Sequence, residues 1–221
     1  MASRSQAKAE AVIKTITDAS KSKNTSGKLK FLHLDLNDLL PVKAAAESFA
    51  QQEDKLDLRA AAASGESGKT RVVWTSSGLA EAGSPPNGVN FDLLDKGTKS
   101  LNDNYGTSKA GTWFLSREFA RRYAKDGIVS VCLNPGYLKT ASFNGTPAPI
   151  MFVLNKVLLG DAIYGAYTEL YAGLSSDIAL ENSGSYIIPW GRIRPNKATP
   201  RQDLIKAGDS KEGGSSLSFQ T

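Results

Sequence analysis

Tyr105 and Lys109 stand four residues apart in the segment Tyr105-Gly-Thr-Ser-Lys109. With Trp113, Phe114, Arg117, Ala120 and Tyr123 following, the stretch Tyr105 to Lys125 predicts a helix. Residues four apart on a helix share a face. A lysine ammonium held beside a phenol favours the phenolate. A phenol so placed can exchange a proton with a bound hydroxyl or carbonyl near neutral pH. Alone the pair says little, since such spacings arise on many helices and a surface pair is the plainer reading.

Its surroundings make it specific. Upstream, Arg71-Val-Val-Trp-Thr-Ser-Ser77 is a strand running into two serines. Downstream, Val129-Ser-Val-Cys-Leu-Asn-Pro-Gly-Tyr-Leu-Lys-Thr140 is a strand running into a Pro-Gly turn and a threonine. In a parallel α/β sheet, ligands bind outside the carboxyl ends of the strands. The serines, the start of the Tyr105 helix and the Asn134-Pro-Gly136 turn would all reach that edge.

Composition narrows the chemistry. The chain has 221 residues, 40 % apolar and 22 % charged, ordinary for one globular domain. There is one histidine, His33, and one cysteine, Cys132. A triad that needs a second histidine, a histidine-rich metal site and an internal disulfide are therefore excluded. His33 lies in the strand-like Leu29-Lys-Phe-Leu-His-Leu34, and Cys132 in an apolar strand where a buried thiol is the plain reading. The net charge of +5 is spread among acidic residues. Its densest cluster, Arg192, Arg194, Lys197 and Arg201, lacks interleaved aromatics and reads as a solvated tail, not a nucleic-acid surface. No apolar run reaches the roughly 18 to 20 residues of a spanning helix. The polar start lacks a secretory signal. A cytoplasmic protein with no nucleic-acid partner and no integral membrane segment is expected.

The elements that position the pair can be read along the chain. Ser5 can cap a helix with Ala9, Val12, Ile13 and Ile16 along one stripe. Lys28 to Leu36 reads as a buried strand, Val42 to Gln52 as an Ala-rich helix with Pro41 near its first turn, and Lys55 to Leu58 as a short strand. Arg71 to Ser76 is a strand and Gly78 to Thr98 a loop. Gly127 to Asn134 is a continuous apolar strand of the doubly buried kind. Leu154 to Leu174 reads as largely helical, and Ser185 to Trp190 as a last strand broken at Pro189. The pattern predicts an α/β fold with a mostly parallel sheet. One domain over residues 1–207 is expected, with a disordered tail over 208–221.

Strand-Ser-Ser, then Tyr-x-x-x-Lys, then strand-Asn-Pro-Gly-x-x-x-Thr is the motif series of the short-chain dehydrogenase/reductase family, which this chain resembles over most of residues 2 to 194. Ile163-Tyr-Gly-Ala-Tyr-Thr-Glu-Leu170 and Gly184-Ser-Tyr-Ile-Ile-Pro-Trp-Gly-Arg192 look like its fungal, retinol-dehydrogenase-related members. The resemblance implies a Rossmann-like doubly wound sheet, an NADP-dependent interconversion of an alcohol with a ketone or aldehyde on a hydrophobic small molecule, and a place in fungal secondary metabolism. It implies Tyr105 as proton donor or acceptor, and Lys109 as its activator and holder of the nicotinamide ribose. Ser77 would bond the substrate carbonyl, with Ser76 the second choice. Pro135, Gly136, Leu138 and Thr140 would form the turn on the nicotinamide. Arg4, closing Ala2-Ser-Arg4, would meet the 2′-phosphate of NADP, a pairing that guanidinium geometry suits. Asp35 would lie near the adenine.

Two family features are missing from the series. No Gly-rich turn follows a first strand to seat the pyrophosphate on a helix N-terminus; the resemblance starts at the family's second strand. After Lys55-Leu-Asp-Leu58 the chain passes through Arg59 to Ala63 and on to Arg71, without the family's Asn-Asn-Ala-Gly and following helix. The expected fold therefore lacks the first βα unit and part of the central region, leaving edges and apolar faces without neighbours. A catalyst, a non-catalytic remnant serving as an interaction module, and an incomplete gene product all suit this pattern. The apolar segment from Ala141 to Lys156, with Pro147, Ile150, Met151, Phe152, Val153 and Leu154, can line a hydrophobic substrate, join the core or touch a membrane surface.

Overall fold

Ser5 opens the first helix, as its side chain allows. The computed structural model describes residues 1–21, 28–35, 40–52, 67–93, 96–140, 143 and 145–210. The expected strand at 55–58, most of the small-residue stretch at 60–67, Leu36 and residues 211–221 lie outside them. The chain divides into two compact units, Met1–Asp57 and Leu58–Thr221.

The first unit contains β1 (Ala2–Ser3), α1 (Gln6–Ser20), β2 (Leu32–His33) and α2 (Leu40–Gln52). Ser5 is extended, and its hydroxyl oxygen accepts from the Lys8 N–H at 3.5 Å. β1 and β2 pair in parallel, with Ala2 opposite Leu32 and Ser3 opposite His33. The long strand expected from Lys28 shortens to two residues, because the ladder it joins is itself only two residues long. His33 is an exposed strand residue. Of the expected α1 stripe only Ala9 is buried, while Val12 and Ile16 face solvent. A two-stranded sheet offers too little surface to cover a helix.

The second unit is built on a four-stranded sheet in the order β3 (Thr70–Thr75), β4 (Ile128–Leu133), β5 (Tyr186–Ile188), β6 (Arg192–Arg194). The first three strands are parallel and β6 returns antiparallel to β5. Around it lie α3 (Leu79–Ala82), α4 (Leu101–Tyr123), α5 (Ala148–Val157), α6 (Ala162–Leu174) and α7 (Gln202–Asp209). β4 is buried along its whole length. Val129, Val131 and Leu133 pack with Ala172 of α6, Ile178 and Ile187. Cys132 packs on the other side with Trp113 and Phe114 of α4, Tyr186 and Leu204. Helices thus cover both faces of a parallel sheet, which is the Rossmann-like α/β arrangement expected. Burial holds the Cys132 thiol far above its ordinary value, so it is a packing residue. Among the described residues the strands form two separate sheets.

Several sequence expectations need correction. α4 begins at Leu101, four residues before Tyr105, because Ser100 caps it by accepting from the Asp103 N–H at 3.2 Å. Tyr105 is therefore in the second turn. The loop after Ser77 contains the short α3, and residues 158–161 divide the single helix expected between Leu154 and Leu174. A further strand, β6, follows Pro189. Gly208 lies in α7 and is buried, so chain order extends beyond residue 207.

Of the basic cluster, Arg192 and Lys197 are exposed, but Arg194 and Arg201 are not solvated. Arg194 pairs with Glu81 at 2.7 Å, with both side chains largely covered. Arg201 donates to the carbonyls of Glu81, Ser84 and Pro85 and pairs with Asp203. The planar guanidinium fork explains this use: one side chain can satisfy several carbonyls at once. Among the described residues, no helix is long and apolar enough to cross a membrane.

Candidate functional site

β3 delivers Thr75, Ser76 and Ser77 to its carboxyl end, and β4 delivers Asn134 and the following turn beside it. Ser76 N–H donates to the Leu133 carbonyl at 2.8 Å, which joins the two strand ends. α4 crosses next to this edge. The Ser76 hydroxyl donates to the Lys109 carbonyl at 2.8 Å, fixing the helix to the strand end. The Lys109 Nζ donates to the Thr75 carbonyl at 3.2 Å and lies 5.5 Å from the centre of the Tyr105 ring. The phenol itself is 45 % exposed and so open to a bound molecule. The i, i+4 spacing has thus placed an ammonium and an accessible phenol together at the sheet edge.

The two serines differ in environment. Ser76 is buried at 2 % exposure, and its hydroxyl is engaged by backbone. Ser77 is half-buried. Its Oγ accepts from the Leu79 N–H at 3.2 Å, which leaves its own proton to donate, and its carbonyl accepts from the Tyr186 hydroxyl at 2.9 Å.

The Asn134-Pro-Gly136 turn is held by Asn134 Oδ1, which accepts from the Gly136 N–H at 2.9 Å. Gly136 has φ +96°, and a Cβ there would come within 2.7 Å of the Trp190 ring. Both facts require glycine. Gly78 lies against Asn134 and Tyr137, so the residue after Ser77 and this turn are in contact. Leu138 points away from the turn into α6: its Cδ1 lies 2.3 Å from where a Gly165 Cβ would be. It also bridges in parallel to Gly160. Thr140 is exposed.

Arg4 and Asp35 belong to the first unit. Arg4 follows β1 and Asp35 follows β2 by two residues, so both sit at the carboxyl end of that parallel pair. Arg4 is exposed.

Sequence reasoning missed three neighbours. Glu169 on α6 accepts from the Thr75 hydroxyl at 2.7 Å, tying the same strand end from the opposite face. Trp190 stands on Gly136 and beside Tyr164, with ring centres 5.4 Å apart. Tyr186 stacks on Trp113 at 4.1 Å while its hydroxyl holds the Ser77 carbonyl. Burial pushes the Tyr186 phenol far above its ordinary value, so it stays protonated and keeps its proton for the Ser77 carbonyl. All three fall in the segments Ile163 to Leu170 and Gly184 to Arg192 that carry the resemblance, but their roles come from contacts distant in sequence.

The apolar segment beyond the turn is not core. None of the residues of α5 is buried, and Ile150, Phe152, Val153 and Val157 are exposed. Tyr164, Tyr167 and Trp190 are exposed as well, with Tyr164 beside Tyr167 and Trp190, and Trp190 on the Gly136 turn.

No family model matches the sequence. The chain is 38 % identical to the short-chain dehydrogenase/reductase iacJ of Pestalotiopsis fici over 249 residues, covering 94 % of this chain and 76 % of the relative. It is 34 % identical to the short-chain dehydrogenase/reductase bet4 of Neocamarosporium betae, over 97 % of this chain and 74 % of that protein. The span of 249 positions exceeds the 221 residues here, so the relative carries residues with no counterpart, as an internal gap produces. Among solved structures, the fold is similar to a short-chain type dehydrogenase/reductase from Mycobacterium marinum, with TM-score 0.58 and 15 % identity over 86 % of this chain and 83 % of that one. It is also similar to an NADPH-bound carbonyl reductase from chicken fatty liver, with TM-score 0.50 and 18 % identity over 82 % and 81 %. Motif series, strand-edge geometry and sequence identity agree: the chain belongs to the short-chain dehydrogenase/reductase family of oxidoreductases.

Proposed function

We propose that this protein interconverts an alcohol and a ketone or aldehyde on a hydrophobic small molecule, using NADP. The observation that carries the reading is Lys109 Nζ, 5.5 Å from the Tyr105 ring and bonded to the end of β3 beside Ser77. In the direction of carbonyl reduction, Tyr105 gives its phenolic proton to the carbonyl oxygen. The Lys109 ammonium stabilises the phenolate left behind, and Ser77 donates a hydrogen bond to the same oxygen. The reverse direction returns the proton to Tyr105.

A nicotinamide fits the residues at this edge. Gly136 packs on Trp190 and fixes the turn after Pro135, and Lys109 has protons to offer a ribose hydroxyl. When bound, the cofactor would supply or accept the hydride. Pro135, Gly136 and Thr140 would hold its nicotinamide, with Leu138 anchoring their turn on α6. We assign Arg4 to the 2′-phosphate and Asp35 to the adenine end from the family resemblance. The NADPH-bound carbonyl reductase and the arginine chemistry support NADP. The exposed apolar wall of α5 supports a hydrophobic substrate, and the fungal origin of the relatives supports a place in fungal secondary metabolism.

Titration of the full chain with NADPH, followed by the cofactor's fluorescence, tests the reading. Saturable binding is expected, weakened by Arg4→Ala for NADPH but not for NADH. Absence of binding up to millimolar NADPH would overturn it.

A further inference from the structure

The described residues between Gly83 and Thr98 cross the outer face of α4 without lying flat on it. They are attached at three places. Gly83 meets Gly106 backbone to backbone, where a Cβ on Gly106 would fall 2.4 Å from the Gly83 carbonyl carbon. Gly88, at φ +81°, lies on the Phe114 ring, 2.6 Å from where its own Cβ would be. Thr98 and Asn104 share three hydrogen bonds of 2.7, 2.9 and 2.8 Å. Between the second and third attachments, Val89 to Leu93 arch away from the helix over a cavity of about 870 Å³. Gly111 forms part of its floor. A Cβ there would meet only the Val89 Cγ2, at 4.0 Å.

Apolar surface from Pro86, Val89, Phe91, Leu93 and Leu115 faces this space. Such surface is unfavourable in water, yet the attachments hold the arch off the helix. Its polar groups, Asn90, Thr107 and Ser108 with Ser84, Thr98 and Asn104, are neutral, and among the described residues Asp103 is the charged one. Among the described residues, no lysine or arginine lines the cavity. A carboxylate or phosphate would find no cation there and would meet Asp103. The volume lies within the roughly 300 to 1,000 Å³ of small-molecule sites.

We propose that this cavity is a second ligand site, which takes an uncharged, mostly apolar small molecule and orients it through Asn90, Thr107 and Ser108. It is separate from the reaction site: none of Ser77, Tyr105, Lys109, Pro135 and Gly136 lines it. Its floor residues Thr107 and Gly111 lie on a different face of α4 from Tyr105 and Lys109, since each residue turns the helix by about 100°. The site therefore stands or falls independently of the proposed reaction.

Nile red, a neutral apolar dye, tests this on the full chain by fluorescence titration. Saturable binding of one dye per chain is expected. Gly111→Leu, which fills the floor with a good helix former, should weaken it by about tenfold or more and leave NADPH binding unchanged. Ser108→Phe, which narrows the cavity from another position, should do the same and serves if Gly111→Leu fails to fold. The double variant Phe152→Glu with Val157→Glu, on the separate apolar surface of α5, should leave dye binding intact. Wild-type affinity in folded Gly111→Leu or Ser108→Phe, loss of binding in the α5 variant, or no saturable binding at all would overturn the proposal.

Discussion

Lys109 donates its ammonium proton to the carbonyl of Thr75 at 3.2 Å, so the cation that faces Tyr105 is positioned by the end of β3. The same residue, Thr75, is held from the opposite face of the sheet by Glu169 at 2.7 Å. Helix, strand and the second helix layer therefore meet at one residue. This bond is also the side-chain contact that most directly links the phenol–ammonium pair to the serines. Lys109→Met should thus cost little stability, since the bond to Thr75 is exposed to solvent, but should abolish turnover while Tyr105 remains in place. Melting temperature and NADPH oxidation measured on the same preparation check this; a large fall in melting temperature would contradict it.

The two serines should separate by readout. Ser76→Ala removes a buried hydroxyl and leaves the Lys109 carbonyl without that donor. It should destabilise the fold by about 1 to 2 kcal/mol, as measured by denaturant unfolding. Ser77→Ala should leave stability near wild type and lower kcat by on the order of 10² or more. The opposite assignment of the two losses would make Ser76 the carbonyl-binding serine.

Gly136→Ala should be poorly tolerated for two reasons that add. The backbone has φ +96°, and the new methyl would press on Trp190 at 2.7 Å. Strain and overpacking of this kind cost about 1 to 3 kcal/mol each. Unfolding midpoints measure the loss. Trp190→Ala in the same chain should recover part of it, because only the steric share is relieved.

Glu118 contributes a pH dependence whose sign follows from its setting. Its carboxylate is buried and paired with Arg121 and Arg122, each at 2.6 Å. The hydrogen bond from Arg121, then that from Arg122 against the cost of burial, holds its carboxyl below the ordinary value of 4.5. A carboxyl depressed by folding gives stability that is present above its unfolded value and lost as pH falls through the folded one. The unfolding midpoint of the wild type should fall as pH drops from neutral toward about 3, and Glu118→Gln should flatten this slope while lowering stability at neutral pH. An unchanged slope would remove Glu118 from the account.

Arg201 closes the last segment onto the loop after α3 through carbonyls of Glu81, Ser84 and Pro85. Arg201→Ala should destabilise by about 2 kcal/mol. Arg201→Lys should recover little, because an ammonium cannot reproduce the planar fork. Full recovery by lysine would show that charge alone matters.

Much of this was legible in the sequence. The strands at Thr70–Thr75 and Ile128–Leu133 and the helix opened by Ser5 follow from local pattern, and so did the meeting of Tyr105, Lys109, Ser77 and the Gly136 turn. The start of α4 at Leu101 had a signal that was easy to pass over: Ser100 with Asp103 three residues on, preceding a polar turn that shows no apolar period. β6 was invisible because a three-residue antiparallel strand after a Pro-Trp-Gly turn carries too little alternation to register. Arg194 and Arg201 looked solvated because their acceptors, Glu81 and the carbonyls near it, lie more than a hundred residues earlier in the chain. The shortness of β2 was equally hidden, since strand length depends on the partner ladder and not on the strand's own residues.

The central claim is that Tyr105, activated by Lys109, moves the proton of a carbonyl reduction. NADPH consumption with a panel of hydrophobic ketones, compared between wild type and Tyr105→Phe at saturating cofactor, tests it most directly. The wild type should consume NADPH, and Tyr105→Phe should bind NADPH with unchanged affinity yet lose turnover by on the order of 10³. Turnover retained in Tyr105→Phe would contradict the claim.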